Sequence, residues 1–188
     1  VDCYFYVNDD SVTLKSGRNK EGNELDKPDA YIRVTDCITQ GSKAGFVIGS
    51  EDASGCHDIL MQNLLVKDVA ICGLWLKTMR PRGGKNTDIQ YKDIVIDGSG
   101  IPIRIASEYA SMNTSAANVN PAMEVPDIGH ILFENIKDTG KNDHGMQFVG
   151  LKESELHDFI FRGVSAKENG CLHQFVHCKN FCFDECEF

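Results

Sequence analysis

A parallel β-helix, short strands stacked coil upon coil, is the fold the sequence predicts, and three observations predict it. One short pattern (polar, apolar, any, apolar, any, then Asp, Asn or Glu, then apolar) starts at residues 31, 58, 88, 130, 158 and 180. A second pattern with the same alternation falls between its copies. The starts lie 27, 30, 42, 28 and 22 residues apart, close to one coil each except the 42, which carries an insertion.

The first pattern reads "YIRVTDCI" from Tyr31, "DILMQNLL" from Asp58, "DIQYKDIV" from Asp88, "HILFENIK" from His130, "DFIFRGVS" from Asp158 and "NFCFDECE" from Asn180. The opening "VDC" is the tail of a further copy. The second reads "SVTLKSG" from Ser11, "GFVIGS" from Gly45, "GLWLKT" from Gly73, "PIRIAS" from Pro102 and "GMQFVG" from Gly145, then "CLHQFV" from Cys171. Both alternate with period two, as strands do, and neither sustains a helical face of period 3.6. Asp36, Asn63, Asp93, Asn135 and Glu185 recur just after the strand, where their side chains are expected to satisfy turn amides. A flat sandwich would account for the alternation but not for the paired repeat.

The repeat assigns side chains to columns, because equal positions in successive coils stack about 4.8 Å apart. Lys15, Gly49, Lys77, Ala106 and Val149 fall in one column, and Thr13, Val47, Trp75, Arg104 and Gln147 in the next. Asp10, Ala44, Cys72, Ile101 and His144 lie in the turn before them. These alternate with the apolar Val12, Leu14, Leu74 and Leu76, so they are expected to point outward and line a groove. The polar stretch "SMNTSAANVNPAMEVP" from Ser111 is expected to be a loop bordering it.

The 188 residues are 41% hydrophobic and 25% charged with only 5 Pro, enough for one core and too apolar for disorder. A formal net charge of −9 argues against nucleic-acid binding, which needs clustered Lys and Arg, and gives no reason to expect a membrane partner. No apolar run approaches the ~20 residues of a membrane span, and no secretory leader stands at the start. Because the chain begins and ends inside strand patterns, residues 1–188 are expected to be part of one longer β-helix domain, cut at both ends. The 8 Cys do not form a compact disulfide pattern. Cys178, Cys182 and Cys186, near His173 and His177, read as small buried hydrophobes rather than a metal site, since zinc sites favour tighter pairs.

Asp9 and Asp10 stand side by side at the mouth of a strand, where Asp is disfavoured and like charges repel. Either they sit in a solvated turn or a site needs both. "NDDSVTLKSG", "GFVIGSE", "GLWLKTMRPRGG" and "IPIRIASEY" resemble, in order and spacing, the central motifs of glycoside hydrolase family 28, the polygalacturonases and rhamnogalacturonan hydrolases. "VPDIGHILFENI" resembles the coil that follows them. The resemblance covers roughly residues 1–138, more loosely the later coils. It implies a right-handed parallel β-helix of the pectin-lyase-like kind and inverting hydrolysis of glycosidic bonds in pectin. In that chemistry one carboxyl group protonates the leaving oxygen and others activate water.

By position Asp9 corresponds to the family's acid and Asp10 to a carboxylate that holds the water. A further catalytic Asp of the family would precede Val1. Lys77 matches the family's substrate-binding Lys; the alternative is a structural partner of Asp10 or Asp9. Ala44 stands where the family has His, and Trp75 where it has Arg. An aromatic there suits a sugar's apolar face better than its carboxylate. Arg104, one coil on, is a candidate to restore the lost charge or a solvated strand arginine. Tyr109 is a cleft aromatic or one packing on the coil.

The resemblance implies a poly- or oligosaccharide substrate, pectic and in part uronate-bearing, a secreted or periplasmic monomer, and no metal or organic cofactor. The competing class is a non-catalytic carbohydrate-binding β-helix that lost the His and the Arg. A purely structural solenoid would leave Lys15, Trp75 and Lys77 on one face unexplained.

Overall fold

The computed structural model describes residues 1–80, 82–109, 125–166 and 171–188. The strands are β1 (Tyr4–Phe5), β2 (Asp10–Leu14), β3 (Asp29–Ala30), β4 (Arg33–Gln40), β5 (Ala44–Gly49), β6 (Cys56–His57), β7 (Ile59–Lys77) and β8 (Lys85–Asn86). They continue as β9 (Ile89–Ala106), β10 (Asp127–Asp138), β11 (Gln147–Val149), β12 (Leu156–Arg162), β13 (Ser165–Ala166), β14 (Gln174–Val176) and β15 (Cys178–Asp184). Every ladder between them is parallel, each strand pairing with its counterpart one coil away. This is a parallel β-helix, as the repeat predicts. The loop expected from Ser111 lies, but for Val125 and Pro126, outside the described residues.

Corners form where single residues take a left-handed backbone. Tyr31, Asp58, Asp88, His130, Asp158 and Asn180, the first residue of each first-pattern copy, all have φ between 53 and 58°. Asp36, Asn63, Asp93, Asn135 and Glu185 form a second such column at 51 to 59°. Asn and Asp tolerate that conformation better than other residues with a Cβ. In the second column the side chains bond mainly along the stack rather than to turn amides. Asn63 Nδ2 donates to Asp36 Oδ1 at 2.6 Å, and Asn135 Nδ2 to Asp93 Oδ1 at 3.0 Å. The parallel ladder continues past the corner, so equivalent side chains face each other across one strand spacing.

One element escapes the pattern reading. Residues Asn19–Leu25 form a short helix, α1, between β2 and β3. Its sequence NKEGNEL lacks an apolar stripe, and it docks through its glycine: a Cβ on Gly22 would lie 2.8 Å from the Ala53 side chain. Among the described residues no helix is long and apolar enough to cross a membrane.

Inside the coils equal positions pack on equal positions. Tyr91, Phe133, Phe161 and Phe183 are successive register partners. Their rings stack at 4.9, 5.1 and 4.8 Å between centroids. Phe133 has no exposed surface, so Phe133→Ala should cost about 3–5 kcal/mol, transfer and cavity together. A denaturant melt reads this, and Phe133→Leu should recover most of it; equal losses for both would show that the ring stack, not the filled volume, sets the cost.

All eight cysteines are free. Cys37, Cys56 and Cys72 are buried, as expected of small hydrophobes. Cys178, Cys182 and Cys186 depart from that expectation: Cys182 is exposed and the others half-buried. They lie on the last described coil, where a strand covers only one side.

Candidate active site

The outward columns form as the repeat predicts. Thr13, Val47, Trp75, Arg104 and Gln147 are consecutive register partners, and so are Gly49, Lys77, Ala106 and Val149. Asp10, Ala44, Cys72 and Ile101 make the third column. Facing away from the core, however, does not leave these side chains open. Ala44, Val47, Cys72, Trp75 and Ile101 bury one another in a second apolar cluster, with Tyr109 packed against it.

The two adjacent carboxylates part company here. Asp10 is the first residue of β2, and Lys77 is the last of β7, two coils away along the stack. The lysine Nζ donates to Asp10 Oδ2 at 2.8 Å, and both side chains are largely buried. Asp9, in the bend before β2, is 80% exposed, its one ion pair a 3.7 Å contact with Lys43 Nζ. Ser11, Thr39 and Ser42 join through their hydroxyls beside the start of β2: Ser42 Oγ lies 2.9 Å from both Ser11 Oγ and Thr39 Oγ1, and Ser11 and Thr39 also bond directly.

Trp75 is only 5% exposed. Lys77 Nζ sits 4.2 Å from its ring centroid and Arg104 Cζ 5.8 Å, so one indole carries two cations. The Tyr109 ring meets Trp75 edge-on at 5.6 Å and lies 5.5 Å from Lys77 Nζ. Among the described residues, Trp75 Nε1 and Arg104 Nε are buried without a hydrogen-bond acceptor. Buried donors are rarely left so. Contacts thus gather Asp10, Lys77, Trp75, Arg104 and Tyr109 on one face, while Asp9, next to Asp10 in the chain, reaches Lys43 instead. Lys15 pairs instead with Glu51 at 2.7 Å on the surface.

Below the site two turns interlock. Gly49 has φ 88°, and a Cβ there would lie 2.1 Å from the Lys77 carbonyl oxygen, so only glycine lets the turn approach the lysine. The turn continues through Ser50 to Asp52. Arg82, 1% exposed, donates from Nη1 to Ser50 Oγ at 3.0 Å, and Asn86 Nδ2 donates to Asp52 Oδ2 at 3.0 Å. Burial pushes the Asp52 carboxyl up to about 7, against the hydrogen bond of Asn86 and the charge of Arg82. The sequence reading uses "GSE" and "RGG" only as marks of resemblance and misses these two buried ionisable side chains. Arg82 sits in a turn with no periodicity, so no pattern announces it.

Fold and register together define a parallel β-helix solenoid that carries Asp10 and two cations, Lys77 and Arg104, on one outward face. The chain belongs to family 28 of the glycosyl hydrolases, whose family model matches residues 1–186. It is similar in structure to a hyperthermoactive exopolygalacturonase from Thermotoga maritima, at 27% identity and a TM-score of 0.77. That likeness covers 97% of this chain and 40% of the exopolygalacturonase, so the chain spans less than half of that protein's length. No curated protein matches the chain.

Proposed function

We propose that this face belongs to a pectic glycosidase that cleaves by inversion, with Asp9 as the acid and Asp10 as the carboxylate that holds and activates water. The observation that carries the reading is the unequal treatment of two neighbouring carboxylates. Asp10 is fixed as a hydrogen-bond acceptor of Lys77 at 2.8 Å, which suits a group that takes a proton from water. Asp9 is exposed and only loosely paired, open to the leaving oxygen of a bound substrate. Membership of the family and the likeness to an exopolygalacturonase support the substrate class.

The substrate carries carboxylates. Lys77 and Arg104 share the Trp75 ring, so the positive charge that an arginine at position 75 would supply returns from the next coil. Charge-assisted hydrogen bonds from these two cations would hold a uronate carboxylate. Trp75, mostly covered, acts as the floor under these cations more than as an open platform for sugar.

Release of reducing ends from polygalacturonan, rhamnogalacturonan and neutral glycans by the full-length protein tests the reading. Turnover is expected on the uronate-bearing polymers, and Arg104→Ala should reduce it there far more than on neutral oligosaccharides. Equal losses on both would remove the charge-reading role. Binding without turnover on any polymer would favour the competing reading, a carbohydrate-binding β-helix, which Ala44 supports: it offers Asp10 a buried methyl where the family has an imidazole.

A further inference from the structure

A second group of chemistry-bearing side chains gathers on a different column of the solenoid, at the corner that opens β10 and β12. His130 and Asp158 are corner residues one coil apart, with φ 53° and 58°. His157 is the register partner of Gly129. A Cβ on Gly129 would lie 2.2 Å from His157 Cε1, so the missing side chain is the seat of the imidazole. The His130 and His157 rings stand perpendicular, 5.6 Å apart, and His130 Nε2 lies 4.0 Å from Asp158 Oδ2. One donor atom from each of His130, His157 and Asp158 falls within 4.8 Å of the others.

We propose that His130, His157 and Asp158 bind a divalent transition metal of the zinc class. Two imidazoles and a carboxylate are the donor set such ions prefer, whereas calcium and magnesium favour all-oxygen sites. Ligand bonds of about 2.0–2.2 Å put tetrahedral donors a little over 3 Å apart. Rotation of the exposed His130 ring closes the remaining gap.

Two neighbours are placed as outer-shell partners of such a site. His157 bridges two carboxylates, its Nε2 lying 2.8 Å from Asp127 Oδ1 and its Nδ1 2.7 Å from Asp158 Oδ2; a metal would replace the proton held between Nδ1 and Asp158, while Asp127 keeps the one on Nε2. Asn180 Nδ2 donates to Asp158 Oδ1 at 3.0 Å and turns the other oxygen to the histidines. A carboxylate behind a ligating histidine and an amide behind a ligating carboxylate are what hold metal ligands in place. His130 and Asp158 line a groove bordered by Asp88 and Cys182, so this side of the cluster is open to solvent. A metal here would clip β10 to β12 and stabilise the folded chain by mass action. This inference is independent of the hydrolase reading.

The test uses chelator-treated protein titrated with ZnCl2 by calorimetry and with CoCl2 by absorbance. One Co2+ per chain is expected, with d–d bands and no thiolate-to-cobalt charge-transfer band, and Zn2+ should raise the melting temperature. His130→Ala should weaken binding by more than about tenfold while leaving the metal-free melt unchanged, since its side chain is exposed. Asp127→Asn should weaken it by about 10–100-fold. No uptake, or uptake with a thiolate band that persists in His130→Ala, would assign any metal to the cysteines and overturn the site.

Discussion

Replacing Asp9 by Asn in the full-length protein is expected to lower reducing-sugar release by about 10²–10⁴-fold, the usual contribution of a positioned acid. Binding of oligosaccharide should change little, because Asp9 is exposed and makes only a long ion pair with Lys43. The melting temperature should hold for the same reason. The three readouts together separate a proton donor from a structural carboxylate. Initial rates and calorimetry on one preparation suffice. Unchanged rates would refute the assignment of Asp9, and unchanged rates with weakened binding would place it in sugar recognition. Asp10→Asn should behave differently, losing activity and also stability, since it leaves the largely buried Lys77 ammonium without its countercharge.

The fold should lose stability as pH rises from about 4 to about 7, and Asp52 is the main cause. Its carboxyl titrates at about 7 in the folded chain, against roughly 3.9 when unfolded. Between those values the folded state holds a proton that the unfolded chain has released. Unfolding therefore releases a proton, and stability falls with rising pH until it levels off above 7. At about 1.36 kcal/mol per unit, the full span is on the order of 4 kcal/mol.

Asp138, also raised by burial, adds to the same slope, while carboxylates lowered by their partners, such as Asp93 and Glu51, act below about pH 4. Asp52→Asn isolates the effect, because an amide keeps the shape and loses the titration. Denaturant melts at pH 4.5 and 8 should show a marked loss for the wild type and a much smaller one for the variant. Parallel curves for the two proteins would mean that Arg82 keeps Asp52 ionised throughout.

Much of this molecule was legible because a solenoid writes its structure into its period. Alternation identified the strands, and the repeat placed Trp75 beside Arg104 and Lys77 beside Ala106 before any coordinates. What alternation cannot say is how deeply an outward residue is covered. Trp75 lies under Lys77 of its own strand and under Arg104 and Tyr109 of the next coil, a meeting that depends on side-chain length and direction. The α1 helix stayed hidden because its contact is a glycine, which carries no hydropathy signal. Asp52 and Arg82 stayed hidden because turns have no period. His157 was invisible for a related reason: what seats it is an absence, the missing Cβ of Gly129.

The bond between Asp10 and Lys77 joins residues 67 positions apart. A nascent or refolding chain can wind β2 onto β5 and still lack it, because the lysine arrives only at the end of β7. The electrostatic setting of Asp10 is therefore a late event in assembly: its carboxylate exists from the start, but its cation arrives only once three consecutive coils have stacked, so a defect in any of them changes Asp10 without touching it.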